Sequence, residues 1–208
     1  MRHQKLLKQL YNEVKVAFLE NKSAILISFF ILFFSLILGY LLAPYLYSYL
    51  NPVVDDLTQK VQTGVIQLTF TDIFLNNVWI IIQMFIYGLF LCVSVLILAY
   101  NGFFVGYYVA ISDNMYKVLA MLIPHGIFEL TSCILACSSG LVLFNFLFRF
   151  LYKSYLKEDL TLKKSFNKNL YKLKHAIIIF LVSVVLMVIA GFVEAYLTIP
   201  IAYFLLGV

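Results

Sequence analysis

Glu129 and Glu194 are the two residues of this chain whose placement most needs a chemical explanation. Glu129 is the only charged residue between 118 and 148, and Glu194 the only one from 176 to 208. A carboxylate in hydrocarbon costs at least about 2.5 to 3.5 kcal/mol on insertion scales, so it belongs in a protein interior, a cavity or the membrane surface. His125 precedes Glu129 by four residues and therefore shares its helix face. These three groups suit a hydrogen-bonded polar cluster or a proton relay. Asn76 and Asn77, just ahead of an apolar run, supply two further hydrogen-bonding side chains.

Other chemistries fit the residues less well. A zinc hydrolase wants His and acidic ligands in a spacing such as His-Glu-x-x-His, whereas the histidines are His3, His125 and His175. A serine nucleophile wants a strained turn and an adjacent base, and Ser132, Ser138 and Ser139 lie in no such motif. Cys92, Cys133 and Cys137 all fall in apolar runs, where a thiol is ordinarily a small core side chain. No metal, cofactor or catalytic residue is expected, and the chain reads as a non-enzyme.

The elements that must position the cluster follow from where charge is missing. Hydrophobic residues make up 63% of the chain and charged residues 12%, far from a soluble globular composition. Residues 24–43 and 78–100 contain no Asp, Glu, Lys or Arg, and about 20 apolar residues on a helix cross a core about 30 Å thick. The prediction is an all-α polytopic bundle forming one integral membrane domain over 1–208. Its five spans are 24–43, 78–100, 102–123, 125–148 and 176–199. Leu6, Leu7, Leu10, Val14, Ala17 and Phe18 recur at helical spacing, so 1–23 is predicted as an amphipathic helix on the membrane surface.

Breaks are expected at Asn101 and Gly102, at Pro124 and Gly126, and at Pro200, because glycine and proline interrupt helices. The small residues Thr131 to Gly140 predict close packing of the fourth span on the fifth, which carries Ala190, Gly191 and Ala195. Charge then orients the bundle. Five of the 15 Lys and Arg lie in 1–23 and eight in 149–175. The positive-inside rule makes both segments cytoplasmic and the C-terminus external, with 149–175 a basic loop. Lys5, Lys8, Lys153, Lys163 and Lys164 are the residues expected to face an anionic inner leaflet, so the basic balance reports lipid and topology rather than nucleic acid. His125, Glu129, Glu194, Asn76 and Asn77 would then meet near the outer face.

The same positions carry a resemblance. Asn76-Asn77 ahead of a span, the run from Asn101-Gly102 to Gly106, the block from Pro124-His125-Gly126 to Glu129, and Glu194 through Pro200 resemble the successive motifs of the stage II sporulation protein M family. The match covers most of the chain, and the block ending in Glu129 is its most specific part. The resemblance implies a multi-span membrane protein. In spore-forming bacteria the family's namesake anchors peptidoglycan-degrading enzymes at the septum, and the family also occurs in bacteria and archaea that form no spores.

Two functions are weighed on these grounds. The first is a membrane organiser or complex subunit that recruits membrane or wall-side proteins, with a second copy of the chain as one such partner. The alternative is an ion- or proton-coupled transporter or permease subunit using His125, Glu129 and Glu194, with Asp113 joining the relay if it faces the interior.

Overall fold

The computed structural model describes residues 2–63, 70–156 and 162–207. Among the described residues the chain is all-α, as the composition predicts, with seven helices and no strand. They are α1 (Arg2–Glu20), α2 (Lys22–Gln62), α3 (Phe70–Ile86), α4 (Leu91–Ile111), α5 (Met115–Leu156), α6 (Leu162–Tyr196) and α7 (Thr198–Leu206), with a 3-10 turn at Tyr87–Leu89. Among the described residues four stretches are long and apolar enough to cross a membrane: Lys22–Pro52, Cys92–Ile111, Met115–Leu151 and Lys163–Leu206. Phe74–Leu89 is a shorter apolar helix.

Neighbouring contacts give the helix directions. Gly102 of α4 abuts Leu32 and Ser35 of α2, and Gly106 abuts Leu36 and Tyr40, so the two helices run parallel. A Cβ at Gly102, Gly106 or Gly39 would collide with the facing helix backbone, and the glycines are what let the two backbones approach. Ser132 Oγ of α5 donates to the Ser183 carbonyl of α6 at 2.7 Å, and Ser165 Oγ of α6 reaches the Phe150 carbonyl at 3.2 Å. Those two helices are therefore antiparallel, and they form the most extensive pair in the bundle, as the small residues predict. Every residue from Ser132 to Gly140 is buried.

Several predicted boundaries are corrected. Asn101 and Gly102 do not break a helix but lie in the middle of α4, where Asn101 Nδ2 donates to the Ile97 carbonyl at 2.8 Å. The chain turns earlier, at Tyr87–Phe90, where Phe90 leaves helical geometry at φ −110°, ψ 85° and buried Gly88 packs on Gly140. Thus 78–100 and 102–123 are not single helices. Pro124 and Gly126 lie inside α5, whose start is set by the extended Ser112 and by Asn114 Oδ1 accepting from the Lys117 backbone N–H at 3.0 Å. The predicted start of a span at 125 therefore moves back to Met115. A proline removes one backbone hydrogen bond without ending a helix that packing holds on both sides of it.

The last predicted break moves by three residues. The chain turns at Leu197, and Pro200 sits in the first turn of α7, where a missing N–H leaves no intrahelical bond unmade. At the other extremes helices run past the predicted spans. Helix α2 continues past 43 through Pro44 and Pro52, and 149–175 is helical at both ends rather than a loop, with 157–161 outside the described residues. Exposed Tyr45, Tyr47 and Tyr49 on α2 form part of an aromatic belt of the kind that marks a membrane interface.

Helix α1 packs on α6 at the basic end of the molecule. Its Ala17 is fully buried while Leu6, Leu7 and Leu10 stay exposed, in keeping with a helix that rests on a membrane surface. Lys174 Nζ bonds Glu13 Oε1 at 2.7 Å. Lys5 and Lys8 line a cleft of about 470 Å³ between the two helices, and Lys163 and Lys164 are exposed at the start of α6. The side chain of Lys153 lies outside the described residues.

Candidate functional site

The polar cluster is built by the upper turns of α5, the end of α6 and the first residue of α7. His125 and Glu129 stand one turn apart on α5, each partly buried. Glu194 reaches them from α6, and one donor atom from each of the three residues lies within 4.8 Å of the others. These ligand-type groups come from positions 65 residues apart in sequence and meet because α5 and α6 are antiparallel and in register.

The turn at Leu197 completes the arrangement. It places Thr198 so that its hydroxyl donates to the Val193 carbonyl at 3.1 Å and stands 3.1 Å from His125 Nδ1. A hydroxyl has one proton, and here it is directed to Val193. His125 Nδ1 must then carry the hydrogen of the imidazole–hydroxyl bond, leaving Nε2 with a free lone pair. Thr198 was not singled out from the sequence, although its place directly after the last turn of α6 is the kind of position from which a hydroxyl caps carbonyls.

The remaining expected residues are placed differently. Asn76 is exposed, Asn77 is partly buried, and their side chains lie 3.5 Å from each other. Among the described residues no hydrogen bond joins either to His125, Glu129 or Glu194. Asp113 is exposed in the turn between α4 and α5 and faces solvent rather than the bundle interior. Among the described residues no Lys or Arg forms an ion pair with Glu129 or Glu194. The cluster opens on a cleft of about 450 Å³ whose walls include Tyr108, Val118, Met121 and Leu122.

Below the cluster, α5 continues the same stripe. His125, Glu129, Cys133 and Cys137 recur every four residues, and Cys133 and Cys137 are buried at 3% and 0% exposure. The stripe ends near Gly140, where the turn at Gly88 presses its backbone against α5. Cys133 and Cys137 are packed among Leu32, Ile81, Met84, Leu98 and Met187, which matches their expected role as small core side chains, whereas Cys92, expected to be one too, is exposed on α4.

The chain is similar in sequence to known proteins. Two uncharacterized proteins of Methanocaldococcus jannaschii are similar: MJ0793 is 31% identical over 150 residues, covering 68% of this chain and 77% of its own length. MJ0706 is 28% identical over 211 residues, covering 94% of this chain and 92% of its own length. No solved structure matches the chain. The family model described as Stage II sporulation protein M matches residues 27–199, a range that takes in Asn76, His125, Glu129 and Glu194 together, and this multi-pass membrane chain therefore belongs to that family.

Proposed function

We propose that the protein is a non-enzymatic membrane organiser, a subunit that holds partners on the two sides of a bilayer in fixed relation. The observation that carries this reading is the α5–α6 pair. Helix α5 is 42 residues long, which at a rise of about 1.5 Å per residue is about 63 Å, twice the hydrocarbon thickness. One end of this strut bears the His125, Glu129 and Glu194 cluster, and the other continues into helices bearing Arg149, Lys163, Lys164 and Lys168. On the positive-inside rule the basic end is cytoplasmic, with α1 resting on an anionic inner leaflet, and the cluster and α7 face outward. The partners are other membrane or wall-side proteins, cell-wall-remodelling enzymes among them, as the family's namesake suggests.

Mild crosslinking of native membranes, followed by purification of the wild type and Glu129→Gln, tests this. Specific partners held by the wild type and lost from the variant support an organiser that recruits through the cluster. Retention of no partner by the wild type overturns it. A second reading, an ion- or proton-coupled transporter subunit, is favoured by the stripe His125, Glu129, Cys133 and Cys137 leading into the bundle. Its test is flux in liposomes, which Glu129→Gln should abolish.

A further inference from the structure

We propose that His125, Glu129 and Glu194 form a binding site for a single divalent transition-metal ion of the Zn²⁺, Co²⁺, Mn²⁺ or Fe²⁺ class, with Thr198 as the residue that orients the histidine. The proposal stands apart from the organiser reading, since a metal site serves equally in a scaffold or a carrier.

Three independent features of the geometry converge on it. The first is the donor set. Three donors bound at about 2.1 Å around a tetrahedral ion lie about 3.4 Å from one another, so atoms already within 4.8 Å need close by about 1.5 Å at most, a shift that side-chain rotation supplies. Two of the ligands stand at i and i+4 on one helix and the third on a packed neighbour, so the set is held by rigid elements rather than loops.

The second is the histidine's orientation. The Val193 carbonyl takes the Thr198 proton, Thr198 Oγ1 takes the proton on His125 Nδ1, and Nε2 is left as the coordinating nitrogen. Metal-bound histidines are ordinarily held by such a second bond, and here it is in place without the ion. The third is charge. Two carboxylates that each place an oxygen within 4.8 Å of the other, with no ion pair to Lys or Arg among the described residues, can ionise together in a region of low polarity only beside a compensating cation. A divalent ion with a neutral imidazole and two carboxylates sums to zero.

The chemistry of the donors selects the ion. One imidazole and two carboxylates suit the borderline first-row metals, whereas Mg²⁺ and Ca²⁺ take all-oxygen shells. Three protein ligands leave a position for water, and the cleft beside Tyr108 and Met121 gives room and a route of entry. The spacing of the sequence conceals the set, because Glu194 becomes a ligand only through the register of α5 and α6.

The intact protein, purified in detergent and stripped with chelator, is titrated with Co²⁺ and then Zn²⁺. The expected result is one Co²⁺ per chain, with visible d–d absorption that Zn²⁺ displaces. His125→Ala and Glu194→Gln should each abolish the absorption. Thr198→Val keeps all three ligands and the side-chain shape, and should weaken binding by about 10- to 100-fold. Glu194→His preserves a three-ligand set and should retain binding with a shifted spectrum, which separates lost ligation from lost folding. Absence of stoichiometric binding by monodisperse wild type overturns the proposal, as it would if the two carboxylates instead share a proton. Binding that Glu194→Gln and Thr198→Val leave unchanged overturns it as well.

Discussion

Among the described residues two polar clusters each hold a histidine, and they solve opposite problems. At the basic end, Lys172 Nζ donates to Asn21 Oδ1 at 3.0 Å, and Asn21 Nδ2 donates to the Ala17 carbonyl at 2.7 Å and lies 3.3 Å from His175 Nδ1. Glu20 Oε2 stands 3.7 Å from both Lys172 and His175. Cation, anion and amide are all present, so the group closes on itself and clasps α1 and the start of α2 to α6. The cluster of His125, Glu129 and Glu194 has two acids, one imidazole and no ion-paired cation among the described residues. A closed network stabilises a fold, whereas an incomplete one has capacity for something else. The lesson is that burial of a histidine beside a carboxylate says little until the charges around it are summed.

The comparison can be broken or sharpened by substitution. The largest effect should come from the seam between the Gly88 turn and α5. Gly140→Leu would drive a side chain into the Met84 carbonyl and the Gly88 backbone, neither of which can yield as a side chain does. The prediction is a loss of assembled protein exceeding that of Leu143→Ala, itself expected to cost about 2 to 5 kcal/mol as a core truncation. Recovery of monodisperse protein after heating in detergent measures both, and equal recovery would refute the close contact between the Gly88 turn and α5.

Next, Lys172→Met should destabilise by about 1 to 3 kcal/mol, because Asn21 Oδ1 loses its buried donor. Glu194→Gln in metal-free protein should stay within about 0.5 kcal/mol of wild type or stabilise it, since it removes a like charge from beside Glu129. Thermal unfolding of the two variants side by side tests the contrast itself, and equal losses would dissolve it. The smallest effect is expected at the exposed Glu13–Lys174 pair. There Glu13→Gln should cost under about 1 kcal/mol, and the difference should vanish when the melts are repeated in high salt.

Much of the fold was legible in the residues, and the failures have a common physical cause. Missing charge gave the membrane class, and the small residues of Ser132 to Gly140 gave the α5–α6 pairing. His125, Glu129 and Glu194 were legible as residues that should converge, from helical spacing and topology alone. The turns were misread. Gly102 reads as a breaker on soluble-protein rules, but between membrane helices it is a point of close approach, and the turn falls instead at Gly88. Pro124 likewise reads as an end from the sequence and is interior to a long helix. Thr198 was missed because its significance lies in two bonds made through a turn whose position was three residues off. Asn76 and Asn77 lie in the first half of α3 and, among the described residues, bond each other rather than the cluster.

The length of α2 bears on which bilayers suit the molecule. Its apolar stretch Lys22–Pro52 covers 31 residues, about 46 Å of helix, well beyond a hydrocarbon core of about 30 Å. Such hydrophobic mismatch is relieved by tilt, by projection past the interface at Tyr45 to Tyr49, or by local thickening of the lipid. Because glycine contacts fix α4 to α2, tilt imposed on one helix is imposed on both, while the α5–α6 pair is braced separately through its serines. Membrane thickness thereby bears on the α2–α4 pair as a unit, at the close contacts of Gly39, Gly102 and Gly106.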